Sequence, residues 1–553
     1  MARDGPRLTV FDGHDTIGGT KIRLEQGAVE LLLDFGTNYR RMNQLYEEFV
    51  QPRPARGLVD WVETGLLPKV RGLYRPDIFP GFDYPHGDRD WPPGHASAVL
   101  VSHGHLDHVG GIAFLHPDIP IVATPTTAAL VRAWQESGMA SLLPNEIAFY
   151  TPRIPRAPAD GRATGRAAQL LESSANGARA RAFATLEETP ADLASILATS
   201  PYSPSNKSFD AQPPSRAPQR WDGMELRWHT VDHSVYGAVG YLLSTDGGAV
   251  GYTGDLRFHG ERGRETGRFA DLLAREASDL TLVTEGTRLQ PRGATAVQRR
   301  ITEDDVERNC RRKVEAYAGK LVVADFGPRN VERLRRFRRV ALDTGRQLVL
   351  TPKDAYLLHL LHAADPTVEL DLSAGGMRIL EEPTSETKRW RRFVRDAFFS
   401  ALLAPQEIAR SPGHWIVCFS FFDCNDLVDL RAATPGGLWL YSSSESHGEE
   451  QEFDFRRLQA WIRWARMDQV GFRHLRDNAG VERLRFDHPD DVGYHASGHA
   501  THDELLDFIA TVGPKSIVPV HTEQRADRLE ELLRARGVRT NVLPVRPGEP
   551  IAL

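Results

Sequence analysis

The segment "SHGHLDHVGG", residues 102–111, contains three histidines and one aspartate within six positions. His103, His105, Asp107 and His108 form an H-x-H-x-D-H pattern between an apolar run and two glycines. Residues at positions i and i+2 of a tight loop can face one ion, and the pair that follows can face a second. Imidazole nitrogens and carboxylate oxygens suit zinc, and also manganese or iron. The pattern therefore predicts a metal site with room for two cations.

Three further candidate ligands each follow an apolar run, as the first cluster does. They are His233 in "HTVDHSVYG", Asp255 in "GYTGDLR" and His521 in "IVPVHTE". A carboxylate such as Asp255 can bridge two cations about 3.5–4 Å apart, as in two-metal phosphoester cleavage. His229, four residues before His233, is the competing ligand. We prefer His233 because it ends the apolar run and leads into a turn that contains glycine.

Short strands must position these groups. Residues 98–101 indicate a buried strand, so the histidine cluster lies on the loop at its carboxyl end, where α/β folds tend to place their sites. Strand-like runs alternate with turns over residues 7–36, and a hairpin turn is predicted at residues 26–27. Strands and helices alternate over residues 302–350, which is typical of a parallel α/β block. Residues 150–220 are rich in proline, serine, alanine and arginine and predict an insertion with flexible parts.

The composition is that of a globular protein with more than one domain. The chain has 553 residues, 41% of them hydrophobic and 26% charged, which is too long for a single core. None of its apolar stretches is long enough to span a membrane, and the start has no long apolar run for export. The cysteines, Cys310, Cys418 and Cys424, lack metal-type spacing and argue against a disulfide framework. We therefore expect a cytoplasmic protein without a membrane partner.

The order of the motifs resembles that of the metallo-β-lactamase superfamily. "LLLDFG" with Asp34, "SHGHLDHVGG", "DHSVYG" and "YTGDLR" match its successive motifs. The later segments resemble the β-CASP nucleases, especially ribonuclease J: "LVTEGTRL" with Glu285, "HASGHATHDEL" with His499, and "PVHTE" with His521. The resemblance implies an α/β protein with a four-layer αββα metallo-β-lactamase fold and an inserted β-CASP α/β domain. We expect the first domain to be residues 1–289 and 481–553, with the insertion at about 150–220, and the β-CASP domain to be residues 290–480.

The resemblance also implies a ligand set. One ion would be held by His103, His105 and His233. The other would be held by Asp107, His108 and His521, with Asp255 between the two ions. The cofactors would then be two zinc ions, with manganese as the alternative. Asp34 would orient the metal loop instead of binding metal.

Asp107, His499 and Glu285 are the expected catalytic residues. By the resemblance, His499 would position the scissile phosphate or protonate the leaving oxygen, and Glu285 would hold its ring. Ser497 and Gly498 would bind substrate together with His499. The alternative for His499 is a surface residue at the start of a helix. Its neighbours His495 and His502 could be mistaken for it.

These observations predict a two-metal nuclease that hydrolyses RNA. Single-stranded RNA is the expected partner, and a homodimer is an allowed assembly. The net charge of −6 argues weakly against nucleic acid, but net charge averages over local patches. An arginine-rich helix within residues 330–346 indicates either a basic wall along an RNA channel or a solvated face; its arginines are Arg333, Arg335, Arg336, Arg338, Arg339 and Arg346.

Three other functions stay open. A metallo-hydrolase of a small ester or thioester would share the first four motifs but would not need residues 290–480. A DNA-directed β-CASP nuclease is the second alternative, and the preference for RNA rests on the resemblance at His521. The third is a binding or scaffold subunit, although such proteins usually lose metal ligands and this chain keeps them.

Overall fold

The computed structural model describes most of the chain. The described residues are 5–553 without 48, 139–142, 157–169, 203–207, 293–299, 328, 369–370, 374, 384–387, 444–451 and 477–481, and with the backbone alone at 452–453. Within them the structure is a mixture of strands and helices that build several sheets.

The strands, in chain order, are β1 (Arg7–Asp12), β2 (Lys21–Gln26), β3 (Val29–Phe35), β4 (Ala98–Leu100), β5 (Ile121–Ala123), β6 (Phe149–Tyr150), β7 (Arg153–Pro155), β8 (Leu171–Ser173), β9 (Gly177–Ala180), β10 (Phe183–Thr185), β11 (Ser208–Asp210), β12 (Ser215–Arg216), β13 (Arg220–Trp221), β14 (Met224–Thr230), β15 (Val239–Thr245), β16 (Gly248–Tyr252), β17 (Leu280–Glu285), β18 (Val322–Asp325), β19 (Gln347–Leu350), β20 (Arg378–Leu380), β21 (Leu402–Leu403), β22 (Trp415–Phe419), β23 (Leu438–Tyr441), β24 (Asp468–Val470), β25 (Arg473–Arg476), β26 (Glu482–Arg485), β27 (Ser516–Val520), β28 (Asn541–Val542) and β29 (Pro550–Ala552).

The α-helices are α1 (Tyr39–Leu45), α2 (Val59–Glu63), α3 (Leu106–Val109), α4 (Pro125–Ser137), α5 (Ala191–Ala198), α6 (Gly263–Ala274), α7 (Glu303–Glu315), α8 (Val331–Asp343), α9 (Pro352–Ala364), α10 (Arg389–Ala397), α11 (Pro405–Arg410), α12 (Glu452–Trp464), α13 (His502–Val512) and α14 (Ala526–Ala535). Most of the longer ones begin at side-chain caps, such as Thr302 before α7, whose hydroxyl accepts a hydrogen bond from the backbone N–H of Asp305. None of these helices, within the part of the chain that is described, has the length and apolar character that crossing a bilayer demands.

Two sheets face each other across one apolar core. The first has the strand order β12-β10-β5-β4-β3-β2-β1-β29 and the second β13-β14-β15-β16-β17-β27-β28. Buried side chains from both sheets, such as Leu33 and Leu100 of the first and Tyr241 and Val518 of the second, form a single cluster between them. Helix α4 packs on the outer face of the first sheet, and α6 and α13 pack on that of the second. This αββα arrangement confirms the predicted fold class.

The two ends of the chain complete these sheets. Strand β29, near the end of the chain, pairs with β1, and β27 pairs in parallel with β17. Between β17 and β27 lies a third sheet of parallel strands, in the order β21-β20-β19-β22-β18-β23-β24. It is the inserted α/β domain that the resemblance implies. The boundaries at residues 290 and 480 stay a prediction.

The strand before the histidine cluster, the hairpin at residues 26–27 and the insertion at 150–220 were all predicted from local sequence. Strand β4 ends at Leu100, immediately before the histidine cluster, and β2 and β3 form the hairpin expected at residues 26–27, where Gly27 has a φ of +60°. The insertion at 150–220 is more ordered than expected, because β10 and β12 extend the first sheet in parallel with β5. The parts of it at 157–169 and 203–207 lie outside the described residues.

The prediction of a basic wall or solvated face on α8 is wrong for three of its six arginines, Arg333, Arg336 and Arg346, which are buried. Arg333 is fully buried and its Nε lies 2.7 Å from Glu303 Oε2. Arg336 pairs with Glu332 and Glu307, both at 3.1 Å. Buried Arg346, just after the helix, donates to backbone carbonyls, including that of Tyr317 at 2.7 Å. A buried guanidinium needs such partners to offset its lost hydration. These buried arginines therefore join neighbouring segments of the inserted region.

The other three arginines, Arg335, Arg338 and Arg339, are more exposed. Arg335 contacts Glu261, and Arg339 contacts Glu307.

Candidate metal centre

The candidate ligands gather where strands end. His103 follows β4, His233 follows β14, Asp255 follows β16 and His521 follows β27. Strands β16, β17 and β27 are parallel neighbours, so their carboxyl ends meet at one edge of the second sheet. The loop after β4 in the facing sheet reaches the same edge, because His103 Nε2 lies 3.6 Å from Asp255 Oδ2.

The first triad consists of His103, His105 and His233. Nδ1 of His105 lies 3.1 Å from Nε2 of His103 and 3.1 Å from Nε2 of His233. One nitrogen from each ring lies within 4.8 Å of the others. The far nitrogen of His233, Nδ1, is 2.6 Å from the carbonyl oxygen of Gly498, which fixes the ring with Nε2 toward the centre.

The second triad consists of Asp107, His108 and His521. Oδ2 of Asp107 lies 3.1 Å from Nε2 of His521 and 3.8 Å from Nε2 of His108. Nδ1 of His521 is 2.8 Å from the hydroxyl of Thr287, which orients that ring from behind. His521 also has a φ of +48°, an unusual backbone conformation for a residue other than glycine.

Asp255 lies between the two triads. Its Oδ2 is 3.6 Å from His103 Nε2, 3.2 Å from His108 Nε2 and 3.7 Å from His521 Nε2. A single carboxylate oxygen thus faces nitrogens of both triads, as a bridging ligand must.

The donor atoms fit divalent cations. Asp255 Oδ1 is buried and makes no hydrogen bond to any described residue, and buried polar atoms rarely stay unsatisfied in native proteins. Burial, followed by the neighbouring histidines, lowers the pKa of both His103 and His233 well below the ordinary value. These imidazoles are therefore neutral, with lone pairs available to a metal. The cluster of histidines and aspartates suits metal binding.

Asp34 lies behind the second triad. Its Oδ2 is 2.7 Å from His108 Nδ1 and accepts hydrogen bonds from the hydroxyls of Ser102 at 2.6 Å and Tyr252 at 2.5 Å. Its Oδ1 accepts from the backbone N–H of Ser102 at 2.7 Å. Asp34 is fully buried and touches a ligand without belonging to either triad. This geometry matches the orienting part that the resemblance implies for it.

His499 and Glu285 form a buried pair beside Asp255. Nδ1 of His499 lies 3.0 Å from Glu285 Oε2 and 3.9 Å from Asp255 Oδ2. Burial alone would lower the pKa of His499, but Glu285 and Asp255 raise it to about 9. The other oxygen of Glu285 accepts from the backbone N–H of Leu256 at 2.7 Å. The alternative of a surface residue is wrong, because His499 is buried and precedes α13 by three residues.

Ser497 and Gly498 hold the loop of His499 against the first triad. The hydroxyl of Ser497 accepts from the backbone N–H of His499 at 3.1 Å. A Cβ on Gly498 would lie 2.8 Å from the hydroxyl of Ser234 and 3.3 Å from the ring of His233. Glycine is thus required at 498 for the loop to approach this closely.

The other histidines of these motifs lie elsewhere. His229 bonds to the carbonyl oxygen of Thr230 at 2.8 Å and belongs to none of the candidate metal groups among the described residues. His495 packs against aromatic rings, and His502 Nδ1 accepts from the backbone of Gln290. Sequence reasoning missed three residues that orient the site, Ser102, Tyr252 and Thr287. Each lies within three residues of a predicted site residue: Ser102 precedes His103, Tyr252 precedes Asp255 and Thr287 follows Glu285. That proximity was the signal in the sequence that could have identified them.

The chain is similar to known metal-dependent RNA-processing proteins over most of its length. Residues 493–544 match the family model RMMBL, described as a Zn-dependent metallo-hydrolase RNA specificity domain. Ribonuclease J of Mycoplasma genitalium is 20% identical over 448 residues, covering 77% of this chain and 57% of that protein. Ribonuclease J of Mycobacterium tuberculosis is 23% identical over 486 residues, covering 83% and 65%. The chain thus spans about three fifths of the length of these curated relatives.

The fold is shared with a solved structure. A protein of unknown function from Enterococcus faecalis matches with a TM-score of 0.62 and 18% identity, over 99% of this chain and all of that one. At this identity the match establishes the fold alone. The motifs and the sequence matches confirm that the chain resembles ribonuclease J, of the β-CASP branch of the metallo-β-lactamase superfamily.

Proposed function

We propose that this protein is a two-metal-dependent nuclease that hydrolyses RNA phosphodiester bonds. The observation that carries the proposal is the position of Asp255 between two triads of ligand atoms, with the His499–Glu285 pair alongside. The match to an RNA specificity domain over residues 493–544, which include His499 and His521, supports RNA as the substrate.

Each triad would bind one zinc ion, with manganese as the alternative, and Asp255 would contact both ions. Cations held there would supply Lewis acidity, which lowers the pKa of water toward neutral and offsets negative charge on phosphate oxygens. Asp34 holds the ring of His108 at Nδ1, so that Nε2 would be the nitrogen that binds a cation. His499 positions the scissile phosphate or protonates the leaving oxygen, and Glu285 fixes its ring and favours its charged form. Ser497 and Gly498 shape the loop that would bind the phosphate.

The alternatives explain less of the molecule. Hydrolysis of a small ester or thioester would not require the third sheet or the His499–Glu285 pair. A scaffold subunit would have no need of a complete ligand set. DNA remains the second candidate substrate, and the RNA specificity match favours RNA. Single-stranded RNA and a cytoplasmic location belong to the same proposal, and the free, buried cysteines agree with a reducing compartment. A homodimer stays a prediction.

A cleavage assay tests the proposal. Single-stranded RNA labelled at the 5′ or 3′ end, matched DNA, and a small thioester are incubated with the zinc- or manganese-loaded protein. We expect cleavage of RNA, lost in Asp107→Ala and His108→Ala variants that remain folded. His229→Ala is the matched control, because His229 lies outside the candidate metal groups, and it should cleave normally. Hydrolysis of the thioester alone would contradict the proposal. Cleavage of DNA without cleavage of RNA would contradict RNA as the substrate and favour DNA.

A further inference from the structure

Arg257 is a buried arginine two residues after Asp255. Its side chain is 1% exposed. Its Nε lies 3.2 Å from Asp232 Oδ1, its Nη1 3.1 Å from Glu303 Oε1, and its Nη2 2.9 Å from Glu332 Oε2. One guanidinium therefore faces three buried carboxylates, each on a different segment of the chain.

The contacts of Arg257 within the metallo-β-lactamase part join three loops of the candidate site. Its own loop carries Asp255. Its partner Asp232 immediately precedes His233 of the first triad, and the backbone N–H of Arg257 donates to the carbonyl oxygen of Asp232 at 2.8 Å. Its Nη1 also lies 3.4 Å from the carbonyl oxygen of Ser497, in the loop of His499. A single side chain thus spans the loops of a bridging carboxylate, a triad histidine and the phosphate-handling histidine.

The remaining contacts of Arg257 lead into the inserted domain. Glu303 begins α7 and Glu332 lies in the first turn of α8. Arg333 also binds Glu303 and Arg336 also binds Glu332, so each of these two carboxylates faces two arginines. Burial would raise the pKa of Glu303, yet Arg333 and Arg257 lower it to about 2, so the carboxylate stays ionised. A charge network buried this completely keeps its stability only while its geometry is satisfied.

We propose that Arg257 is a positioning residue through which the inserted domain sets the relative placement of the His233, Asp255 and His499 loops. The proposal rests on the proposed metal-dependent function and adds to it a residue that touches neither metal nor substrate. Lysine cannot replace arginine here, because one ammonium group cannot reach three carboxylates arranged around a planar fork. The position of helices α7 and α8 is thereby linked to the metal ligands.

The test compares Arg257→Lys with Arg333→Lys. Both arginines are buried and both bind Glu303, but the Arg333 partners Glu303 and Ser442 lie in the inserted region. Zinc affinity is measured by competition with a chelator, and kcat and KM are measured on labelled RNA. We expect Arg257→Lys to weaken zinc binding at least tenfold, the range seen when groups behind metal ligands are changed, and to lower kcat. Arg333→Lys should stay within threefold of wild type in zinc affinity, even where its melting temperature falls equally.

The outcomes separate the inference from the function on which it rests. Zinc binding by Arg257→Lys within threefold of wild type, or an equal loss in Arg333→Lys, would overturn the positioning assignment. A wild-type protein that binds zinc but cleaves no RNA would remove the proposed function and leave the zinc comparison valid. If Arg257→Lys does not fold, Glu332→Gln removes the charge that Arg257 meets on α8, together with the charge that Arg336 meets there. It should weaken zinc binding at least threefold, and unchanged binding would count against the proposal.

Discussion

Replacing Asp34 with asparagine probes how the protein orients His108. The carboxylate of Asp34 faces four groups: the Ser102 N–H, the hydroxyls of Ser102 and Tyr252, and Nδ1 of His108. Asparagine has nearly the same shape, but one of its two terminal atoms is a donor instead of an acceptor. The substitution therefore changes hydrogen bonding without opening a cavity.

Either orientation of the new amide leaves a conflict. If its NH₂ group points toward His108, Nδ1 must accept, so Nε2 carries the proton and cannot bind a cation. If the amide is flipped, its NH₂ group meets the backbone N–H of Ser102, and a buried donor loses its partner. A buried unsatisfied donor costs about 1–3 kcal/mol. Because only the flipped orientation lets His108 bind a cation, this cost is subtracted from the free energy of metal binding. At 1.4 kcal/mol per factor of ten, it is roughly a 5- to 150-fold loss in metal affinity.

The assay is zinc competition with a chromogenic chelator on the metal-free protein, followed by cleavage of labelled RNA. Tyr252→Phe is the matched control, because it removes one donor to Asp34 and keeps the carboxylate. Its zinc affinity should change less than that of Asp34→Asn. Wild-type zinc affinity in Asp34→Asn would refute the idea that Asp34 fixes the tautomer of His108.

Three further substitutions test the residues around Asp255. His499→Ala should slow RNA cleavage by about 10²- to 10⁴-fold, as expected for a proton-transfer group, while zinc affinity stays within threefold; an equal fall in zinc affinity would make His499 a ligand. Glu285→Gln keeps the contact with the Leu256 N–H but removes the charge that favours protonated His499, so kcat should fall at least tenfold with KM little changed, and a wild-type kcat would count against that role. Gly498→Ala puts a methyl group 2.8 Å from the hydroxyl of Ser234, so kcat for RNA should fall more than the melting temperature predicts, and normal kinetics would show that the loop tolerates a shift.

The positions of the ligands follow from short local patterns. Each candidate ligand directly follows an apolar run, and the parallel pairing of β16, β17 and β27 brings three of these strand ends to one edge. Local sequence is therefore informative where a strand end and a polar group are adjacent. The preference for His233 over His229 had the same basis, since His229 still lies within β14.

Ion-pair and strand partners that lie far apart along the chain could not be predicted from the sequence. Arg333 of α8 looks like part of a basic surface in the sequence because its acidic partner, Glu303, lies thirty residues away. The link from Arg257 to Glu332 spans 75 residues and leaves no local pattern. Strands β10 and β12, of three and two residues, are too short to produce an alternating pattern. Burial and pairing of this kind emerge only from the packed structure.

Zinc titration of the metal-free protein, with RNA cleavage followed in the same samples, tests the central claim most directly. Bound zinc per chain is counted while the rate of cleavage of labelled single-stranded RNA is measured at each addition. The account predicts two zinc ions per chain, with cleavage that rises as the second ion binds and that is absent in Asp255→Asn. Cleavage by the metal-free protein, or a fully loaded site that cleaves no RNA, would contradict it.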